Sequence, residues 1–580
     1  MKKLFVSVFA ITLLFSCNKS TKSNEDKALD VKFDKYKDGF VTSLWKISPN
    51  WASSVGYHKL DSVLVIPDDN QRKIVLDFVN AQLDSLSKFD IDKLSDNNKT
   101  DFHLIKNELE SNIFSIKELK AGEWDPSGYN VCGSFAEILN GTYETPEIRL
   151  RAFNAKMNAI PAYYEAAKKK IKNPTVEHTE LAIAQNLGGS SVFDADLKAA
   201  LEKSKLSAAE KKEMLDKAQV SIKAIKDYAA WLKALPNKTP RSFRLGSALY
   251  AKKFNFEIQS SYTADEIYKI AIDHKKDLHE KMFVLADKLW AKYKGNEPKP
   301  TDKLDLIKQV IDKISLQHTT PEKFQSEIEK QIPELTAYVK AKDLLYIDPS
   351  KPLVVRKEPA YMAGVAGASI SAPGPYDKNA NTYYNVGSMS GWTPENAESY
   401  LREYNDYILQ ILNIHEAIPG HYTQLVYSNQ SPSIIKSILG NGAMVEGWAV
   451  YAEKMMLESG YKNSDEMWLM YYKWNLRTTC NTILDISVHT KNMTKEEGIS
   501  LLTKEAFQQQ AEADGKWKRV TLSQVQLCSY FTGYTEIYNL REELKKKEGD
   551  KFNLKKFHEK FLSFGSAPVK YIRELMLSEE

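Results

Sequence analysis

The chain runs to 580 residues, and 80 basic residues nearly balance 76 acidic ones for a net charge of +4. Both signs are mixed along it, and the short runs Lys168-Lys169-Lys170 and Lys545-Lys546-Lys547 fall on helical patterns, which excludes a nucleic-acid footprint. Its four cysteines stand far apart, which excludes a disulfide scaffold and a cysteine metal site.

Lys2-Lys3 followed by the apolar run from Leu4 to Phe15 is a basic segment and a short hydrophobic one, too short to cross a membrane. Leu14-Phe15-Ser16-Cys17 resembles a bacterial lipobox, so residues 1–16 read as a lipoprotein signal peptide and Cys17 as the lipid-bearing residue. Residues 17–32, polar and rich in Ser and Lys, read as a tether. The expected location is therefore the bacterial cell envelope, periplasmic or outer-membrane, held through that lipid alone. Cys132, Cys480 and Cys528 remain, enough for one disulfide at most.

Residues 33–343 carry helical patterning, as in Val75 to Leu94, Ile148 to Ile171 and Ala208 to Leu235, with no internal repeat. His274 and His279-Glu280 sit five apart on a Lys-rich helical pattern, point in opposed directions and read as surface residues. Near Leu344 the character changes. Residues 344–580 read as a metal-binding catalytic part that forms one continuous cleft-bearing body with the helices before it. Leu353-Val354-Val355 and the small-residue run Ala363 to Pro375 predict strands and glycine-rich loops.

Thr393 as N-cap, Pro394 at the first helical position and Glu395 near the positive end then predict a helix. Its apolar face runs through Leu401, Tyr404, Ile408 and Ile411 to His415. There His415-Glu416-Ala417-Ile418-Pro419-Gly420-His421 reads H-E-x-x-P-G-H, the zinc-peptidase pattern H-E-x-x-H with two residues inserted. On a regular helix those six steps would turn His421 about 120° away from His415. Pro419 lacks an N–H and clashes with the carbonyl four residues back, so the helix bulges or breaks. A looped-out Pro-Gly would return His421 to the position of the ordinary second histidine. Glu446 and Glu453, seven apart, flank the buried stripe of the next helical segment, and Glu446 supplies a third ligand. Asp485 and His489, four apart, share a helix face; Thr494 with Glu497 forms a capping box; Arg519, His489 and Tyr530 are the polar groups outside the metal shell.

His415 to Gln424, H-E-A-I-P-G-H-Y-T-Q, followed by E-G-W-A-V-Y-A-E from Glu446 to Glu453, resembles the bacterial domain-of-unknown-function family numbered 885. The resemblance extends to Phe243–Gly246, to Asp485-Ile486-Ser487-Val488-His489, to Gln526–Gly533 and to Phe564–Pro568. Two departures stand out: Gln524-Val525 where the family has Pro-Gly, and Ile486-Ser487 where it has Thr-Gly. The resemblance implies a gluzincin-like zinc peptidase of largely helical fold. By that analogy Gly364 to Ile370, or Thr382 to Val386 with Asn385, aligns a peptide by strand addition. Gln424 and Arg519 join Asn385 as expected substrate contacts.

The expectation is thus a mainly α, zincin-like body with a small β and glycine-rich substrate edge before the histidine helix. It holds one Zn²⁺ on His415, His421 and Glu446, with Glu453 and Asp485 behind them. Glu416 serves as general base in hydrolysis of a peptide or small amide substrate, and Tyr530 or His489 serves the oxyanion. The alternatives are a peptide-binding envelope lipoprotein without turnover and a metal-dependent hydrolase of a non-peptide amide or ester.

Overall fold

The computed structural model describes residues 24–358, 368–377 and 380–578. Cys17, the signal peptide and residues 363–367 of the small-residue run lie outside the described residues. Almost everything described is helix, and side-chain caps start many of the helices. Capping boxes close at Ser207–Glu210, Thr263–Glu266 and the expected Thr494–Glu497.

The first described helix is Asn24–Ile47, so the tether read over residues 17–32 gives way to helix from Asn24. Tertiary contacts explain the difference. Phe33, Phe40 and Leu44 are buried, and Asp30 accepts from Ser95 N at 2.8 Å and Asn98 Nδ2 at 3.0 Å. This N-terminal core also takes in Ile435 and Ile438, from far along the chain. Beneath it the buried Asp101 carboxylate accepts from Lys37 Nζ and Lys436 Nζ, both at 2.8 Å, and from Ser433 Oγ at 2.6 Å.

A second core gathers Leu64 with residues from Tyr129 to Leu232. The largest combines Ile267, Leu278 and Met282 of the helix Ala264–Lys294 with Met470, Leu476 and Ile483 of the helix Asp465–Thr490. Packing therefore runs straight across residue 344. His274 and His279 are half-buried in this contact, on Asn475 Oδ1 and the Glu505 carbonyl, each at 2.8 Å, rather than on the surface. Cys132, Cys480 and Cys528 are all free and buried.

The described strands form one sheet: β1 (Leu353–Lys357), β2 (Ala368–Ser371) and β3 (Thr382–Val386), in the order β1-β3-β2. β3 pairs parallel with β1 and antiparallel with β2. The expectation that Thr382 to Val386 offers a free edge is thereby overturned, because both sides of that strand are taken. Asn385 is likewise engaged. It is fully buried, its Oδ1 accepts from Arg356 Nε at 2.7 Å, and its Nδ2 donates to Ser371 Oγ at 2.7 Å. Tyr384 Oη donates to Asn413 Oδ1 at 2.7 Å, which fastens the sheet to the helix that carries His415.

Candidate metal centre

The single helix expected from Pro394 through His415 is two, Pro394–Glu403 and Asp406–Glu416. Tyr404 leaves the helical region, and the Asn405 side chain caps the second helix by accepting from Tyr407 N and Ile408 N. Within the motif, of the bulge or break expected at Pro419, the structure has the break. The helix stops at Glu416, the Ile418–Pro419 peptide is cis, and a new helix starts at His421. Three contacts pin the turn: Ala417 N on Asn413 O at 3.0 Å, Gly420 N on Ile414 O at 2.9 Å, and Trp448 Nε1 on Pro419 O at 2.8 Å. Gly420 is required for room, since a Cβ there would lie 1.9 Å from the His415 carbonyl oxygen.

The turn brings the two imidazoles together, with ring centroids 4.7 Å apart and nearly perpendicular. Glu446 reaches them from the helix Gly442–Glu458, its Oε2 lying 3.3 Å from His421 Nε2 and 3.7 Å from His415 Nε2. Among the described residues this is the one group of three His, Cys, Asp or Glu side chains whose ligand atoms all lie within 4.8 Å of one another. Tetrahedral zinc ligands at 2.0–2.1 Å stand about 3.3 Å apart, so the cage has the right size. Its bonding is also incomplete: Glu446 Oε2 is buried yet has no hydrogen-bond geometry to either imidazole. Donor set and spacing fit a zinc ion.

Behind His415, Nδ1–H donates to Glu453 Oε1 at 2.7 Å, and Trp474 Nε1–H donates to the same oxygen at 3.0 Å. Glu453 is fully buried. This bond places a proton on Nδ1 and turns Nε2 to the cage, the carboxylate–histidine arrangement that orients metal ligands. Burial depresses the His415 imidazole, but the carboxylates of Glu446 and Glu453 beside it outweigh that and lift it to about 10. Burial raises the Glu446 carboxyl, yet the two histidines overcome it and hold it well below the usual range. A cation would replace the proton these groups share.

Glu416 is half-buried and accepts no hydrogen bond from a described residue. Burial raises its carboxyl, opposed by the charges of His421 and His415. Tyr530, on the helix Cys528–Glu548, lies with its ring 6.4 Å from that of His415. Its Oη accepts from Arg519 Nη2 at 3.1 Å, and Arg519 Nη2 also donates to Gln526 Oε1 at 2.7 Å. Burial, aided by the Glu446 charge, pushes the Tyr530 phenol up to about 12, so it keeps its proton. Two glycines set this placement. A Cβ on Gly533 would lie 1.7 Å from the Ala443 carbonyl oxygen, and one on Gly447 would lie 2.3 Å from the Gly533 carbonyl carbon. The Glu446 and Tyr530 helices cross there with nothing between their backbones.

Three expected site residues are bonded elsewhere. His489 Nε2 donates to the Val520 carbonyl at 2.9 Å, about 22 Å beyond Trp474 along their common helix at 1.5 Å per residue, so the catalytic reading of His489 is corrected. Asp485 is fully buried, and its Oδ1 accepts from Tyr250 Oη at 2.6 Å and Val525 N at 2.9 Å, so it supports no metal ligand. What Asp485 does is hold Val525 at φ +74°, a conformation that favours the glycine of the resembled family. Gln424 is buried and donates to Ser566 Oγ at 2.8 Å, tying down the Phe564–Pro568 segment instead of meeting substrate. Sequence reasoning missed Trp474 and Trp448, whose partners lie 21 and 29 residues away and leave no local signal.

A family profile described as "Bacterial protein of unknown function (DUF885)" matches residues 49–576. A candidate lipoprotein of unknown function from Shewanella oneidensis is 54% identical, with a TM-score of 0.85 over 94% of this chain and 99% of that one. A candidate lipoprotein from Colwellia psychrerythraea, 17% identical, shares the fold with a TM-score of 0.74 over 96% of this chain and 99% of its own. No curated protein matches the chain.

Proposed function

We propose that the chain, which belongs to the DUF885 family of bacterial proteins of unknown function, is a zinc-dependent hydrolase of peptide bonds acting on short peptides. One observation carries this reading: ligand atoms of His415, His421 and Glu446 all lie within 4.8 Å of one another, with Glu416 next in the chain to His415 and unbonded by any described residue. Zinc held there would supply Lewis acidity and a water whose pKa is lowered to about 7. Glu416 takes a proton from the attacking water as the C–O bond forms, and returns it to the amine as the C–N bond breaks. Tyr530 donates to the oxyanion of the tetrahedral carbon. Its oxygen already accepts from Arg519, which leaves its own proton for the substrate. One such donor lowers the barrier by about 3 kcal/mol.

The relationship to gluzincin-like peptidases belongs to the same proposal. So does the location: residues 1–17 read as a signal and lipobox, and two solved relatives are described as candidate lipoproteins, which supports a lipid on Cys17 and a place in the cell envelope.

The test is a mass-spectrometric cleavage profile of mixed peptides with zinc-loaded protein and its Glu416→Gln variant. Turnover should fall by about 10²- to 10⁴-fold in the variant while zinc content stays equal. Unchanged turnover removes Glu416 from the mechanism, and absence of cleavage by the parent chain removes the reading.

A further inference from the structure

We infer that the substrate presents a free C-terminal carboxylate on the residue just beyond the cleaved bond, and that Arg519 receives it; this rests on the hydrolase reading above. Arg519 is anchored on one side only. Its Nη2 serves Gln526 and Tyr530, and no described carboxylate pairs with it. A guanidinium carries five N–H donors in a planar fork, and neither Arg519 Nε nor Nη1 is among the buried atoms left without a partner. Neither donates to a described residue, and the side chain is only half-buried. Glu416, His421, Glu446, Tyr530 and Arg519 all keep part of their surface, whereas His415 and Glu453 behind them are buried. Arg519 is thus partly exposed, as are the cage residues it adjoins through Tyr530.

The carboxylates on this side are already engaged. Lys516, one turn before Arg519, is buried, and its nearest carboxylate is Glu512 at 3.8 Å. Arg477 already holds that carboxylate through Nε at 3.2 Å and through Nη2. Arg477 and Lys516 therefore share Glu512, and Lys473 is taken by Glu403 at 2.9 Å, so no described carboxylate is left to pair with Arg519. Distance selects which substrate carboxylate would. Tyr530 Oη, the oxyanion donor, is 3.1 Å from Arg519 Nη2, and successive residues repeat about every 3.8 Å along a chain. A carboxylate on Arg519 therefore belongs to the residue adjoining the scissile bond, and the enzyme releases single C-terminal residues.

Binding separates this inference from the hydrolase reading. The probes are one short blocked peptide as its free acid, as its C-terminal amide, and as an amide ending in glutamate, each titrated into the full zinc-loaded Glu416→Gln chain. The free acid should bind about 10- to 100-fold more tightly than the amide, the worth of a charge-assisted bond. Arg519→Ala and Arg519→Gln, added to that variant, should bring the ratio towards one at unchanged zinc content, with Arg519→Lys restoring part of it. Equal affinity for acid and amide overturns the inference, and so does an amide that matches the acid only when its last residue is glutamate. A preference for the acid without turnover by the parent chain removes the hydrolase reading alone; turnover without that preference removes this inference alone.

Discussion

Glu453 shows how a single side chain outside the cage controls it. It is fully buried and takes two donors on one oxygen, from His415 and Trp474, so it fixes both the tautomer and the orientation of His415. Replacing it by glutamine removes the charge that favours a proton on Nδ1. Glu453→Gln should therefore weaken zinc affinity by about 10- to 100-fold, as read by competition with a chelator; undiminished affinity would detach Glu453 from the site. At this scale much was legible. His415, Glu416 and His421 declare themselves through one seven-residue motif, and Glu446 through the E-G-W sequence 25 positions beyond His421. Asn385, Gln424, Asp485 and His489 did not follow, since a polar side chain bonds to whatever the fold sets against it. Ser371, Ser566, Tyr250 and Val520 are those partners, and each belongs to another segment.

Between helices the decisive feature is the contact of Gly447 with Gly533. The Gly442–Glu458 and Cys528–Glu548 helices approach until a single Cβ has no room, and that closeness carries Glu446 and Tyr530 to one site. Gly533→Ala should cost about 1–3 kcal/mol of stability, as overpacking does, and should weaken zinc binding as the helices separate. Gly515→Ala is the control, because a Cβ there meets nothing within 4 Å and an alanine in a helix interior gains about 0.5–1 kcal/mol over glycine. Urea unfolding and zinc titration of both variants distinguish the two effects; a Gly533→Ala protein as stable as its parent would contradict the close crossing. The glycines are visible in E-G-W and Y-F-T-G, but their pairing across 86 positions is not, because nothing local says which helix faces which.

Across the molecule, His558 joins parts that are distant in sequence. Tyr451 Oη donates to its Nε2 at 2.8 Å, and its Nδ1–H donates to the Leu344 carbonyl at 2.8 Å, so the neutral ring is satisfied on both sides. Burial holds this imidazole down at about 4, against an ordinary value of 6.5. The unfolded chain then binds the proton more readily than the folded one, so this contribution is complete above pH 6.5 and is lost as the pH falls towards 4. From pH 7 to pH 5 the stability should drop by about 2 kcal/mol on this account, and His558→Gln should flatten that part of the profile in urea unfolding at the two pH values. An identical slope in the variant would assign the loss to other groups. What the residues determined by themselves was the helical class, the capping signals and the H-E-x-x-P-G-H motif, since each depends on periodicity or spacing within a turn or two of chain. Tertiary structure alone decided that Asn24 to Lys32 is helix, that β3 is a central strand, that the Pro-Gly segment breaks the helix instead of bulging it, and that Trp474 stands behind Glu453. Each of those outcomes depends on burial and on hydrogen bonds closed between remote segments, and a one-dimensional pattern carries no record of them.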